Sequence, residues 1–333
     1  MTTEQVVEVL LDTINEGRLW HLGPMLSGAD AERMEAFRRA WERLHPVKRQ
    51  DVVEALVKQA EEHVEYDFRP IFRWLLGDED PQVRRMAIEG LWEDDSPALI
   101  GPLLYLLQQD PDPSVRAAAA TGLGRFVLLM QLDEIPMREV TPAIETLLQK
   151  VQDENEDIDV RRRALEAISY LNEPHIKDLI EAAYYHPDLR MQVSAVFSMG
   201  RNLDSRWGPM VMAELESPDP ELRYEAALAA GELELIDAVH LLRLLAEEDE
   251  DLDVRLAAVE ALGRVGGPEA ERVLMRLAES DNEALAELAE DALSELRFMS
   301  GADDLLLMDY SDDWSPGPFG SQEDNEELDE PWK

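Results

Sequence analysis

Cysteine is absent from the chain. Disulfides, zinc sites built on thiolates and cysteine nucleophiles are thereby excluded. Basic residues are scarce: 31 Lys and Arg stand against 73 Asp and Glu, a formal net charge of −42 over 333 residues. Nucleic-acid binding works by neutralising phosphates with basic side chains, so a surface this acidic excludes a nucleic-acid partner. A basic partner fits the charge better, as does solubility alone. No apolar run approaches the roughly 20 residues of a spanning helix, so no membrane partner is expected. Residues 1–11, MTTEQVVEVLL, lack the basic start and long apolar core of a signal peptide, and a cytoplasmic location is expected. Phosphate loops, strand-associated GxGxxG turns and GxSxG elbows are missing as well, and no catalytic residue is assigned. Acidic clusters at 78–80 and 247–251 lack the spacing of a calcium loop and read as helix caps and solvated charge. Neither a metal nor another cofactor is expected.

What the chain does hold is a repeated phrase, seen most clearly at 110–124, DPDPSVRAAAATGLG. Asp112 suits a helix N-cap, because its carboxylate accepts the unpaired N–H groups of the first turn. Pro113 fits the first helical position, where a missing N–H costs nothing. Val115, Ala119 and Leu123 follow at i+4 spacing as an apolar stripe. Gly124 is expected to end or bend the helix.

The phrase recurs along the chain. Its cap is Asp80, Asp112, Asp157, Asp188, Asp219, Asp251 and Asn282. Four residues on stand Arg84, Arg116, Arg161, Gln192, Arg223, Arg255 and Ala286, at steps of 32, 45, 31, 31, 32 and 31 residues. Three further on there is always an alanine: Ala87, Ala119, Ala164, Ala195, Ala226, Ala258 and Ala289. A second helix completes each unit, at 99–109, 176–185, 207–216, 237–246 and 268–279. A fixed period of this length means a tandem repeat, and it favours one solenoid over two ordinary domains.

Three regions follow. Residues 1–45 hold helices at about 3–15 and 30–44, the second with Phe37, Trp41 and Leu44, and form an N-terminal helical cap. Residues 46–299 are the repeats, opening with the degenerate phrase His45-Pro46-Val47-Lys48-Arg49. The long step places about 13 extra residues at 127–140, where Pro136 points to a loop or broken helix. Residues 300–333 form an acidic-aromatic tail with Leu305, Leu306, Leu307, Tyr310 and Trp314, either disordered or docked on the solenoid.

This arrangement resembles the HEAT repeat, and its short prokaryotic subgroup first named after phycobilisome lyases, over about residues 46–299. The resemblance implies an all-α, right-handed α-solenoid of about seven to eight HEAT-like helix pairs, with the phrase-bearing helices lining the concave face. It implies a hydrogen-bonded ladder between units through Asp80, Arg84, Asp112, Arg116, Asp157, Arg161, Asp219, Arg223, Asp251 and Arg255. Gln192 and Ala286 depart from the pattern, so the ladder should weaken at the fourth repeat and stop at the seventh. HEAT-like DNA glycosylases need a basic groove, which the charge opposes. A di-iron HEAT-like family uses His-Glu pairs, and none of the six histidines is followed by Glu. The expected function is a non-catalytic protein–protein interaction scaffold. The alternatives are a phycobilisome-lyase-like enzyme, which attaches bilins to cysteines of antenna proteins, and an assembly chaperone.

At 100° per residue, offsets +1, +5 and +9 from the arginine position face away from the apolar stripe. In the middle repeats they gather Val193, Phe197, Tyr224, Leu228 and Leu256, with Tyr170 alongside and Arg201, Glu232 and Arg264 at the rim. An apolar centre with a charged rim reads as a partner-binding patch, and equally as packing between neighbouring repeats.

Overall fold

The computed structural model describes residues 2–308, and the side chains of 2–298. Three helices lead, α1 (Thr3–Asn15), α2 (Leu22–Leu26) and α3 (Ala31–Glu42), followed by α4 (Pro46–Glu62). Then come pairs: α5 (Arg69–Leu75) with α6 (Pro81–Glu89), α7 (Ile100–Gln109) with α8 (Pro113–Gln131), and α9 (Met137–Gln152) with α10 (Ile158–Ile168). They continue as α11 (Pro174–Tyr184) with α12 (Leu189–Asn202), and α13 (Gly208–Glu214) with α14 (Pro220–Glu232). The last are α15 (Val239–Glu248) with α16 (Leu252–Val265), and α17 (Gly267–Leu277) with α18 (Glu283–Met308). No strand occurs among the described residues.

The phrase sits on the even-numbered helices from α4 to α18. Each of these packs on the next, while every odd helix from α5 onward packs on the even helix that follows it. Two helical layers result, as in an α-solenoid.

Local chemistry explains the helix starts. Asp80, Asp112, Asp157, Asp188, Asp219 and Asp251 each accept a backbone N–H two residues on, at 2.8–3.0 Å. Asn282 accepts the N–H of Leu285, three residues on, at 3.3 Å. Prolines 81, 113 and 220 occupy the first turn. The alanine row is wholly buried in all seven units, so a larger side chain there has no room.

A second small-residue row escaped the sequence reading. Gly124, Gly200, Gly231 and Gly263 lie against Ala167, Ala229, Ala261 and Ala292 of the next even helix, and a Cβ on any of them would fall within 2.9 Å of that alanine. These glycines let neighbouring helices approach; they do not end them. Gly124 lies inside α8, which runs on to Gln131.

The extra residues of the long step take the second of the two expected forms, a broken helix. They lengthen α8 and α9 to 19 and 16 residues, joined by a turn at 132–136, instead of forming a loop. Val127, Leu129, Met130, Ile135 and Val140 are buried, and that apolar content extends the helices. Pro136 serves as the N-cap of α9.

The ladder exists with different acceptors. Arg84 makes a two-pronged ion pair with Asp110, at 2.7 and 2.8 Å. Arg223 does so with Asp249 at 2.7 and 2.9 Å, and Arg116 reaches Glu156 at 2.5 Å. Arg49 of the degenerate phrase reaches Glu79 at 2.8 Å. Asp110 and Asp249 stand two residues before the next cap, Glu156 one before; each also accepts the N–H of that cap residue, Asp112, Asp251 or Asp157. Asp112, Asp157, Asp219 and Asp251 are therefore caps, Asp80 is a cap that also accepts from Gln50 of the preceding unit at 2.8 Å, and the carboxylate that receives an arginine lies just upstream of a cap. Where that upstream site is His186 or Ser280, Arg161 and Arg255 turn back to the carbonyls of Val151 and Ala246. Gln192 bonds the carbonyl of His186. The arginine links thus break at α10–α12, one junction earlier than expected, at α12–α14, and again at α16–α18.

At the chain's start, Phe37, Trp41 and Leu44 are buried, and the Trp41 indole donates to Asp78 at 2.7 Å, joining the leading helices to the first pair. At the other end the backbone of α18 continues to Met308. Leu305, Leu306 and Leu307 fall within that backbone, beyond the described side chains, while Tyr310 and Trp314 lie outside the described residues.

Candidate protein-binding groove

A depression of about 950 Å³ crosses the phrase-bearing layer from α10 to α18. Its walls include Arg162, Arg163 and Glu166 from α10, and Val193, Ser194 and Phe197 from α12. Tyr224 and Glu225 come from α14, Leu256, Ala257 and Glu260 from α16, and Leu288 from α18. Each element delivers the same offsets because each begins at an equivalent cap.

Four of the residues singled out from sequence therefore meet in one cavity: Val193, Phe197, Tyr224 and Leu256. All four are half-buried, with one side against the solenoid and the other open. Tyr170, Leu228, Arg201 and Arg264 do not line it. Tyr170, just past the end of α10, and Leu228, within α14, are half-buried. Arg201 stacks over the Phe197 ring at 5.2 Å and pairs with Glu232 at 2.7 Å. Arg264 pairs with Glu260 at 2.8 Å and lies 3.6 Å from Glu232.

Two carboxylates bordering this region are satisfied. Glu166 accepts from Arg163 at 2.6 Å and from the Ser194 hydroxyl at 2.5 Å. Glu232 holds Arg201, and burial still pushes its carboxyl up. Glu225 differs: among the described residues it has no hydrogen bond and no ion pair. Burial first, then the neighbouring Glu166 and Glu232, push its carboxyl from 4.5 up to about 7, with Arg163 and Arg201 opposing. Burial likewise raises the Tyr224 hydroxyl, helped by Glu225, Glu260 and Asp253.

Sequence reasoning missed Glu225 because it stands at offset +2, outside the three offsets taken to face the groove. The cavity is lined by rows +1, +2 and +5. A signal was available. At the +2 position the other units carry Met86, Ala118, Arg163, Ser194, Ala257 and Leu288, so an acid there is an exception.

A second depression of about 600 Å³ lies over α6, α8 and α10, walled by Arg85, Glu89, Trp92, Thr121, Arg125 and Arg162. Its charges are largely paired: Arg85 with Glu89 and Arg162 with Asp159 within the wall, and Arg125 with Asp95 beside it.

Neither cavity has a histidine in its wall. His186 sits in a turn, where its Nδ1 accepts the Asp188 N–H at 3.0 Å. Among the described residues no group of three His, Asp or Glu side chains is placed to hold a metal ion, and no helix is long and apolar enough to cross a membrane.

Stacked helix pairs with an open inner layer define a helical-repeat solenoid. A family model of HEAT repeats matches residues 68–137 and 208–294. The chain is an α-solenoid that carries HEAT repeats over those residues. Similar solved structures include the complex of CpcE and CpcF of phycocyanin lyase from Nostoc sp. PCC7120, at 18% identity and a TM-score of 0.49, covering 76% of this chain and 95% of that one. Human deoxyhypusine hydroxylase in complex with glycerol is similar at 17% identity and a TM-score of 0.36, covering 89% and 98%. Kap121p bound to RanGTP is similar at 15% and 0.44, covering 85% of this chain and 36% of that one. At these values the likenesses transfer no activity. No curated protein matches the sequence.

Proposed function

We propose that this chain is a non-catalytic scaffold that holds a protein or peptide in the groove over α10–α18. The observation carrying this reading is the set Val193, Phe197, Tyr224 and Leu256, half-open apolar side chains collected from three helices around one cavity. A core position would be closed, as the alanine row is, and a plain solvated face would be charged. An apolar centre ringed by Arg162, Glu166 and Glu260 has the composition of an interface. Fold alone assigns no function to a HEAT-repeat protein, so the cavity supplies the argument.

The test replaces Phe197 and Tyr224 together with Asp and compares proteins captured from native cells by parent and variant. A control variant, Met275→Asp, changes an exposed side chain of α17 in the other layer. The expected result is loss of capture in the groove variant, retention in the control, and unchanged helix content in both. Equal capture by all three removes the groove from the function. Attachment of a supplied bilin to an antenna protein would establish the lyase-like enzyme instead.

A further inference from the structure

We propose that the groove takes a basic segment of a partner protein, one cationic side chain of which enters among Val193, Phe197, Tyr224 and Leu256 and ends on Glu225. This assignment rests on the binding function proposed above and specifies the chemistry of its ligand.

The first argument is the unmatched carboxylate. Glu166 and Glu232 on either side of Glu225 are neutralised by Arg163 and Arg201, but Glu225 faces the cavity with no partner. A half-buried carboxylate with no ion-pair partner pays for its partial desolvation, and the packing does not require one there. Ser194 and Ala257 fill the equivalent places on the two neighbouring helices. A ligand cation would supply the missing counter-charge.

The second argument is the wall around it. A lysine or arginine buries its aliphatic stem against apolar surface while its head seeks an anion or an aromatic face. Val193 and Leu256 offer the apolar surface, and Phe197 and Tyr224 the rings. Charge selects the same partner: a protein of net charge −42 attracts basic segments over long range and repels acidic ones. The chain's own last 33 residues carry eleven acids and one lysine, so they do not complement this site.

The charges acting on Glu225 are Glu166 and Arg163 on α10, Arg201 on α12 and Glu232 on α14, and Arg162 on α10 and Asp253 and Glu260 on α16 line the same cavity. Their balance, with burial, leaves the Glu225 carboxyl at about 7. Proton and cation then compete for one group. Binding should weaken as pH falls through that value.

The experiment uses the full chain and a displayed random peptide library, selected at a pH above about 7. Enriched peptides are synthesised, and their affinities are measured on the parent, Glu225→Gln, Glu225→Ala and Phe197→Asp. The expected peptides share a Lys or Arg flanked by apolar residues. Replacing that residue by norleucine should weaken binding about tenfold or more, as loss of one charge-assisted contact does. Glu225→Gln should cause a similar loss, with little further loss when both changes are combined. It should also flatten the pH dependence, and Glu225→Ala should agree with it. Peptides that need Phe197 but ignore both their own charge and Glu225 would overturn the cation site and leave the groove standing. A library that yields no binder dependent on Phe197 overturns both.

Discussion

Two sets of junctions in the phrase-bearing layer are built differently. Between α4 and α10, each junction is joined near its helix starts by an arginine reaching the carboxylate just before the next cap, as Arg84 reaches Asp110. Across the groove this link survives at α14–α16 and is missing at α10–α12, α12–α14 and α16–α18. At α10–α12 the helix starts are tied instead by Arg190, which reaches Asp159 at 3.1 Å, and further polar contacts lie at the other end of the helices. Asn202 donates to the carbonyls of Ser169 and Leu171 at 2.9 and 3.1 Å, and Arg201 and Arg264 converge on Glu232. The link through the arginine of the phrase is thus absent on both sides of α12, where Val193 and Phe197 line the cavity, while Arg223 keeps it between the helices of Tyr224 and Leu256. Departures from the repeat thus fall in the part of the solenoid that lines the proposed groove.

The largest expected contrast is between Arg84→Ala and Arg161→Ala. Removing Arg84 leaves Asp110 buried and uncompensated, a loss of about 3–5 kcal/mol. Removing Arg161, bonded only to a carbonyl, should cost about 1 kcal/mol or less. Denaturant unfolding of both variants measures this. Equal losses would dissolve the distinction between the two kinds of junction.

Next comes pH. Glu225 has a folded-state value raised from 4.5 to about 7, so its stabilising share is complete below 4.5 and lost as pH rises through about 7. Glu156 and Asp249 are held low by Arg116 and Arg223 against their own burial, so their share is present above 4.5 and 3.8 and lost on acidification below those values. Melting temperature should therefore rise as pH is lowered from above 7 towards 5, then fall in stronger acid. Glu225→Gln should remove the rise, worth on the order of 2 kcal/mol, and leave the acid limb. A variant that keeps the rise would reassign it to another group.

A smaller effect sharpens the comparison from the other side. His186→Asp places a carboxylate where Asp110 and Asp249 stand in linked units, within reach of Arg161. It should stabilise the chain by about 1 kcal/mol, and Arg161→Ala in that background should now be expensive. Additivity of the two changes would show that no link forms.

The caps, the buried alanines and the pairing of helices were legible because each depends on residues within a turn or on a strict period. The ladder acceptors were not. Their position is defined by where an arginine from the preceding unit lands, and Asp110 looks like any other acid of a turn until the stacking is known. Helix extension through 127–131 was hidden for a related reason: Pro136 marks a break, but the burial of Val127, Leu129 and Met130 decides how far the helix runs first. In the groove, a helical wheel located Val193, Phe197, Tyr224 and Leu256 and lost Glu225, because it treats each helix as solitary. The stacked helices turn the +2 row inward as well as the +1 row.

The carboxylate before each cap belongs to two helices at once, since Asp110 accepts both the guanidinium of Arg84 and the N–H of Asp112. Every complete unit therefore carries an acceptor for the unit behind it and a donor for the unit ahead. A copy made by duplicating such a unit arrives with both halves of the joint already compatible with its parent on either side. Length can change by whole units without inventing a new contact. Units such as the one holding His186 and Gln192 have given up that interchangeability.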